Sequence, residues 1–171
     1  FVNFKVGTDI MCFNDPTTQT FVVFDKGIFY DIEQLPMAKY KAGRGFVVYE
    51  DNSGNLWYYK DGERFQLSNF GADFWDVKDD IVVWTESSYF FAYCEGEKTE
   101  IANFKPLDYQ IKNNVLAYRN ILGGVNAFVE GESYQLTNMS DSNYAIYGSR
   151  VLVSMFNNSY IVLENGVQYK N

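Results

Sequence analysis

The chain repeats one short pattern five times, and a glycine marks every repeat. The pattern glycines are separated by 35, 34, 35 and 35 residues and lie at Gly27, Gly62, Gly96, Gly131 and Gly166. An apolar or aromatic run ends three residues before each of them, as in Phe21–Phe24 and Tyr89–Tyr93. A constant period of this length indicates supersecondary units that bury their apolar surfaces against their neighbours.

The repeat is predicted to be made of β-strands. A second apolar run lies upstream of the first in every repeat and begins at Ile10, Phe46, Ile81, Val115 and Val151. The runs are four to six residues long and rich in valine, isoleucine and aromatic residues. Clusters of Gly, Asn, Asp and Lys lie between them, which favours strands joined by tight hairpins over helices.

The third repeat shows the full unit. We assign strands a to d to Asp73–Val77, Ile81–Thr85, Tyr89–Cys94 and Lys98–Asn103. A four-stranded antiparallel unit of this size is a small propeller blade. The sequence therefore predicts an all-β, five-bladed β-propeller with about 35 residues per blade. A parallel β-helix or open solenoid is disfavoured, because its rungs usually lack two tight antiparallel hairpins.

The predicted propeller occupies the whole chain as a single domain. The blades are expected near residues 1–35, 36–70, 71–104, 105–139 and 140–171. Two ways of closing the ring remain open, since Val2–Val6 can open the first blade or complete the last one. A larger ring with additional blades is a further alternative.

The order of elements resembles a known group of proteins. The order is similar to that of WD-repeat and TolB-type propeller units. It runs from a strand through a short acidic or amide turn to an apolar strand, an aromatic strand ending in glycine and a short polar strand. The pattern also resembles uncharacterised repeat proteins exported by bacteria. The resemblance implies a propeller fold, but propellers serve as enzymes, lectins and scaffolds, so it does not determine the function.

The charge of the chain excludes some partners. There are 14 Lys and Arg residues against 22 Asp and Glu residues, giving a net charge of -8. An acidic surface repels phosphate backbones and anionic lipids, so we expect no nucleic-acid binding. The apolar runs are too short to span a bilayer, so we expect no membrane insertion.

The residues that commonly carry catalysis are scarce. The chain has no histidine, which excludes Ser-His and Cys-His nucleophile systems. The remaining candidates for a glycosidase pair are carboxylates on or beside strand a, namely Asp73, Asp76, Asp108 and Asp141. We favour turn formation for three of them and pairing with Lys78 or solvation for Asp76. We therefore predict no catalytic residues, no cofactor and no enzymatic activity.

Metal binding and disulfide formation are also disfavoured. Oxygen-rich segments at Asp51–Asn55 and Asp79–Asp80 could attract calcium, but they are typical of tight turns, so we predict no metal site. Cys12 and Cys94 fall in blades one and three and are predicted to remain thiols. Cys12 occupies a core position in strand b, which we align with Val48, Val83, Ala117 and Val153.

The function predicted from these features is binding. Aromatic residues make up 19% of the chain, and most recur at core positions. Four that do not recur are predicted to be exposed contacts for a protein or a sugar: Tyr58, Phe74, Tyr147 and Tyr160. The b-c turns differ in length and chemistry, which favours one irregular surface for a protein partner over repeated sugar pockets.

We therefore expect a non-enzymatic binding or scaffold module with one or more protein partners. Its expected place is extracellular, at the cell surface or in the periplasm, within a larger surface or envelope assembly. A carbohydrate-binding lectin is the alternative, and a carboxylate-dependent glycosidase fragment is the second alternative.

Overall fold

The computed structural model describes residues 1–171, which form twenty strands in five sheets. Blade 1 contains β1 (Lys5–Val6), β2 (Ile10–Asp15), β3 (Thr20–Asp25) and β4 (Ile28–Glu33). Blade 2 contains β5 (Lys39–Ala42), β6 (Phe46–Glu50), β7 (Leu56–Lys60) and β8 (Glu63–Gln66). Blade 3 contains β9 (Phe74–Lys78), β10 (Ile81–Glu86), β11 (Tyr89–Cys94) and β12 (Glu97–Ala102). Blade 4 contains β13 (Asp108–Lys112), β14 (Val115–Arg119), β15 (Val125–Val129) and β16 (Glu132–Thr137). Blade 5 contains β17 (Ser142–Tyr147), β18 (Arg150–Met155), β19 (Tyr160–Glu164) and β20 (Val167–Lys170).

Each sheet consists of four consecutive strands in sequential order, and the paired strands are antiparallel. The predicted fold class, five four-stranded antiparallel propeller blades of about 35 residues, is confirmed. The chain divides into two compact units, Phe1–Ser87 and Ser88–Asn171. Blade 3 contributes its first two strands to the first unit and its last two strands to the second. The assignment of residues 1–171 to one domain stays a prediction.

The pattern glycines form the turns between strands c and d. In blade 2 this turn is Asp61-Gly62, and both residues have positive φ, 52° and 83°. The other four blades have the same pair of positive φ values at the corresponding turn. Two consecutive residues with positive φ are the mark of a two-residue type I′ hairpin, which matches the twist of the strands it joins. Only glycine adopts this conformation without steric cost at its second position.

We expect Gly62→Ala to lower the free energy of unfolding by about 1 kcal/mol, because an alanine at positive φ is strained. A Cβ at Gly62 would meet no heavy atom within 4 Å, so the loss reports the backbone conformation alone. Gly71→Ala is the matched control, since Gly71 lies outside the positive-φ set and its added Cβ makes ordinary contacts at 3.7 Å. Urea denaturation of both variants measures the difference; equal losses would contradict the turn assignment.

The core lies between neighbouring blades. In the first unit, Ile10, Cys12, Phe21 and Val23 of blade 1 pack against Tyr40, Val47, Tyr49 and Tyr59 of blade 2. In the second unit, one face of blade 4 packs in the same way against blade 5. We call the face that a blade turns to the preceding blade its leading face, and the opposite face its trailing face. Trailing faces thus pack on leading faces throughout both clusters.

Polar contacts between neighbouring blades also follow the repeat. In the first unit Lys26 binds Asp61 at 2.8 Å, and Lys41 binds Asp76 at 2.7 Å. In the second unit the Asn113 side chain donates to the Gly148 carbonyl at 2.8 Å. The two members of each of these three pairs are 35 residues apart, which is one repeat. Asp76, for which pairing with Lys78 or solvation was expected, thus has a partner one blade away.

The alignment of Cys12 with Val153 is wrong by one residue. Tyr40 pairs with Tyr49 in blade 2, and the corresponding Tyr144 pairs with Val153 in blade 5. Val153 therefore lies on the leading face, and Leu152 takes the trailing position that Cys12 has in blade 1. The physical reason is that strand b of blade 5 begins with a charged residue, Arg150, where other blades begin with an apolar one.

Candidate functional site

One edge of blades 4 and 5 collects the apolar side chains that the core does not use. Strand direction alternates within a blade, so the b-c turns and the connections from strand d to the next strand a lie at the same edge. In the second unit this edge exposes five large side chains: Leu107, Ile121, Leu122, Met139 and Phe156. We call this set the apolar edge.

The b-c turn of blade 4 is held in shape by Asn120. This residue is buried, and its Oδ1 accepts hydrogen bonds from the backbone N–H groups of Leu122 at 3.0 Å and Gly124 at 3.1 Å. Its Nδ2 donates to Asn126 Oδ1 at 3.0 Å. The turn therefore has little freedom, yet it leaves the Leu122 side chain 78% exposed.

Arg119 ties this turn to the next blade. Its guanidinium donates to the Gly123 carbonyl at 2.8 Å and to the Ser142 carbonyl at 3.0 Å, at the start of β17. Its Nε also donates to Asp108 Oδ2 at 3.1 Å. One side chain thus connects the b-c turn of blade 4 with two strands a, which fixes the spacing of the loops along the apolar edge.

The loops that carry the apolar edge lie next to one another. The backbone N–H of Leu107 donates to the Arg119 carbonyl at 3.0 Å, beside the b-c turn. A Cβ added to Gly123 would lie 2.8 Å from the Ser140 Cβ, so the turn packs directly on the connection that carries Met139. The backbone N–H of Phe156 donates to the Asp141 carbonyl at 3.1 Å.

Two open clefts lie along this edge. The first has a volume of about 570 Å³, and its walls include Asn138, Met139 and Tyr160. The second, of about 470 Å³, lies beside Ser140 and Phe156. Their lining of methionine, aromatic and amide side chains offers apolar contact area together with hydrogen-bonding groups.

The four aromatics predicted from the sequence do not form one site. Tyr58 lies in β7 and is only 4% exposed, because it stacks on Phe46 at 4.9 Å, so the prediction of exposure is wrong for it. Phe74 begins β9 and is half-buried. Tyr147 and Tyr160 are exposed, and they lie on the trailing face of blade 5, at opposite ends of strand β18.

Two of the four carboxylates considered for catalysis, Asp108 and Asp76, have structural partners. Asp108 accepts hydrogen bonds from the Tyr144 hydroxyl and from Arg119. Burial, together with that hydrogen bond, raises the pKa of Tyr144 well above its usual range. Asp76 Oδ1 accepts both Lys41 Nζ and the backbone N–H of Val77.

The oxygen-rich turns also serve the fold. Asp51 Oδ1 accepts the N–H groups of Ser53 at 2.8 Å and Asn55 at 3.0 Å, and its Oδ2 accepts Trp57 Nε1 at 2.8 Å. Although burial alone would raise the pKa of Asp51, these hydrogen bonds outweigh it and lower the pKa. Asp79 and Asp80 both lie within ion-pair distance of Arg44, at 3.7 and 3.3 Å.

The sequence contained a signal for part of the apolar edge that aromatic content did not reveal. One apolar residue lies five positions before the aromatic residue of strand a in blades 2 to 5, at Leu35, Phe70, Phe104 and Met139, and Met139 belongs to the apolar edge. These positions fall in the connections between blades, where a buried role is uncommon. Ile121 and Leu122 stand in a turn beside two glycines, which also separates them from the strand cores.

Repeated four-stranded blades that pack trailing face on leading face define a β-propeller repeat protein. The chain belongs to the 10-bladed beta propeller domain family, whose model matches residues 1–169. No curated protein matches the chain. The structure contains no helix long and apolar enough to cross a membrane.

Three solved structures with similar folds are distant in sequence. Hsv2 from Kluyveromyces marxianus is 9% identical with a TM-score of 0.52, and the match covers 99% of this chain and 63% of that one. Human WBSCR16 is 7% identical with a TM-score of 0.53, covering 95% and 61%. A structure of Kap60 bound to yeast RCC1 (Prp20) matches at 8% identity with a TM-score of 0.52, covering 94% and 55%. This chain thus spans less than two thirds of each matched chain, and the likeness shows the fold alone.

Proposed function

We propose that the chain is a non-enzymatic binding module that holds a protein partner on the apolar edge. The observation that carries the proposal is the display of five large apolar side chains on turns that are themselves hydrogen-bonded in place. Clusters of exposed apolar side chains mark protein-interaction sites. Loops on a rigid scaffold commonly carry binding residues.

The rigidity of the edge favours affinity. Leu122 and Phe156 are 78% and 83% exposed, and the loops that carry them are fixed by Asn120 and by the Asp141 carbonyl. Association costs less free energy when the contacting loops are already ordered. A partner that inserts these side chains into apolar pockets would gain the burial of both without first having to order the loops.

Two further observations support a protein as the partner. One of the similar structures is that of a protein complex, Kap60 bound to yeast RCC1 (Prp20). The net charge of -8 opposes nucleic acid and anionic lipid. The resemblance to exported bacterial repeat proteins extends the proposal to a surface or envelope assembly. Fractionation of the source cells tests this location. Recovery of the protein in the cytoplasm alone would contradict it.

We expect Leu122→Asp to weaken capture of the partner by about 30-fold, the effect of removing a 2 kcal/mol hot spot. The tagged wild-type chain and the variant are compared by affinity purification from the native source with quantitative mass spectrometry. Circular dichroism verifies that the variant remains folded, which its exposed position predicts.

Ile28→Asp is the matched control for this experiment. Ile28 is also an exposed apolar residue, but it lies at the c-d turn of blade 1, away from the apolar edge. Its substitution should leave capture unchanged. Equal losses of partner capture for both variants would contradict the proposal. Retention of the chain on a glycan array without any protein partner would also contradict it and would support the lectin alternative.

A further inference from the structure

One methionine of the chain is exposed, and it belongs to the apolar edge. The chain contains four methionines. Met37 is buried, and Met11 and Met155 are half-buried in β2 and β18. Met139 is 42% exposed. It is therefore the most accessible methionine of the chain.

The exposure of Met139 follows from its place in the connection between blades 4 and 5. Its backbone N–H donates to Thr137 Oγ1 at 3.1 Å, and its carbonyl accepts the Ser142 hydroxyl at 2.8 Å. The corresponding residues of two other connections, Leu35 and Phe70, are exposed as well. The loop thus holds the Met139 backbone in place while the side chain stays open to solvent.

Met155 shares a cleft with Met139, but its sulfur has hydrogen-bond partners. Both methionines belong to the walls of the cleft of about 570 Å³. Met155 Sδ accepts the Thr137 hydroxyl at 3.6 Å and the Ser159 hydroxyl at 3.9 Å, and its side chain packs against the core of blades 4 and 5. These contacts engage the sulfur lone pairs that an oxidant attacks, so they protect Met155.

Oxidation of a methionine changes an apolar side chain into a polar one. When hydrogen peroxide is the oxidant, a sulfur lone pair forms the new S–O bond as the O–O bond breaks, and the second oxygen leaves as water. The sulfur loses two electrons and the peroxide gains them. If an apolar surface then covers the sulfoxide, its oxygen is left without a hydrogen-bond donor, which is unfavourable.

We propose that Met139 is an oxidation site, and that peroxide releases the partner from the apolar edge by converting this residue to its sulfoxide. The proposal rests on the binding function proposed above. The turn that carries Leu122 packs directly on the connection that carries Met139, through Gly123 and Ser140, so the new oxygen lies within the surface that the partner covers. Methionine sulfoxide reductases reverse the oxidation, which makes the release reversible.

The order in which the methionines oxidise is the first test. The folded 171-residue chain is treated with hydrogen peroxide at neutral pH, and peptide mass spectrometry follows the gain of one oxygen atom at each methionine. We expect Met139 to be mostly converted while Met155 lags behind it and Met37 remains unoxidised. Oxidation of any other methionine before Met139, or equal rates at Met139 and Met37, would overturn the assignment of the site.

A phenyl-substituted chromatography resin provides a defined apolar probe. The oxidised chain, freed of peroxide, should elute earlier than the untreated chain, because the apolar edge has gained a polar group. Met139→Leu keeps an apolar side chain of similar volume without the sulfur, so peroxide should not shift its elution. This variant retains both cysteines and therefore also controls for their oxidation. Equal shifts for the variant and the wild type would overturn the proposal.

Capture of the partner from the native source tests the release itself. Oxidation of the tagged chain before the purification should weaken capture by about tenfold, the effect of leaving one polar group unpaired in an interface. Treatment with a methionine sulfoxide reductase should restore it. Peroxide should not change the capture measured for Met139→Leu, whereas Met155→Leu should show the loss of the wild type. The same loss in Met139→Leu would overturn the proposal.

Failure of this proposal differs from failure of the binding function. If Leu122→Asp weakens capture but oxidation of Met139 does not, the binding function stands and the release by peroxide is refuted. If Leu122→Asp leaves capture unchanged, the apolar edge does not hold the partner, and the release is refuted together with the binding function. The order of methionine oxidation is measured without a partner, so it decides the oxidation site in either case.

Discussion

Replacing Trp75 with alanine is expected to lower the free energy of unfolding by about 3 to 5 kcal/mol, the usual loss for a large aromatic side chain removed from a core. Trp75 lies in β9 and is among the largest fully buried side chains. Its Nε1 donates to Glu50 Oε2 of blade 2 at 2.8 Å, and Lys39 Nζ lies 4.6 Å from its ring. The substitution therefore removes core volume, a hydrogen bond and a cation-π contact together.

Trp75→Phe separates these contributions. The phenylalanine ring keeps most of the buried apolar area but cannot donate to Glu50, so we expect a loss of about 1 to 2 kcal/mol. Urea denaturation followed by fluorescence and circular dichroism measures both variants. A urea midpoint for Trp75→Ala that coincides with that of the wild type would contradict the packing of Trp75, in blade 3, against blade 2.

Raising the pH from 9 to 12 is expected to destabilise the chain through Cys12. Burial in β2 raises the pKa of this thiol from 9.0 to about 12, although Lys5 lowers it slightly. The folded pKa lies above the unfolded one, so the contribution is fully present below pH 9 and is lost as the pH rises towards 12. At 1.36 kcal/mol per pKa unit, the loss is on the order of 4 kcal/mol.

Cys12→Val is the control for this pH dependence. The corresponding positions of blades 2 and 3 contain Val48 and Val83, so valine fits the site. The variant should keep more of its stability at high pH. Burial also raises the pKa values of Tyr49, Tyr59 and Tyr144, so both proteins should lose stability at high pH, and the difference between them is the part that Cys12 carries. Parallel losses in both proteins, measured as urea midpoints from pH 7 upward, would show that Cys12 does not carry the effect.

The sequence predicted what depends on local chemistry. A type I′ turn that requires glycine recurs in every blade. The spacing of Gly27 and Gly62 therefore revealed the period and the strand order together. In blade 3 the predicted strand c, Tyr89–Cys94, coincides with β11, and the other three strands differ by one residue at one or both ends. Hairpins of this kind are specified within about ten residues.

Contacts between side chains that are distant in sequence were harder to predict. Tyr58 was predicted to be exposed because it broke the repeat pattern, yet it stacks on Phe46 and contacts Phe65 within its own blade. Asp76 was expected beside Lys78 but binds Lys41. Alignment by apolar runs alone failed in blade 5, where strand b begins with the exposed Arg150, and a one-residue slip in a strand exchanges its two faces.

The 35-residue spacing of the pairs between neighbouring blades restricts how such a chain can change in length. Inserting or deleting one whole repeat keeps the two members of each pair one blade apart, whereas an insertion within a strand would exchange the two faces of that strand and break the pairs that it forms. Gene duplication in units of one blade is therefore tolerated, and other changes of length are confined to the loops. Changes of length by whole blades preserve the polar contacts between neighbouring blades.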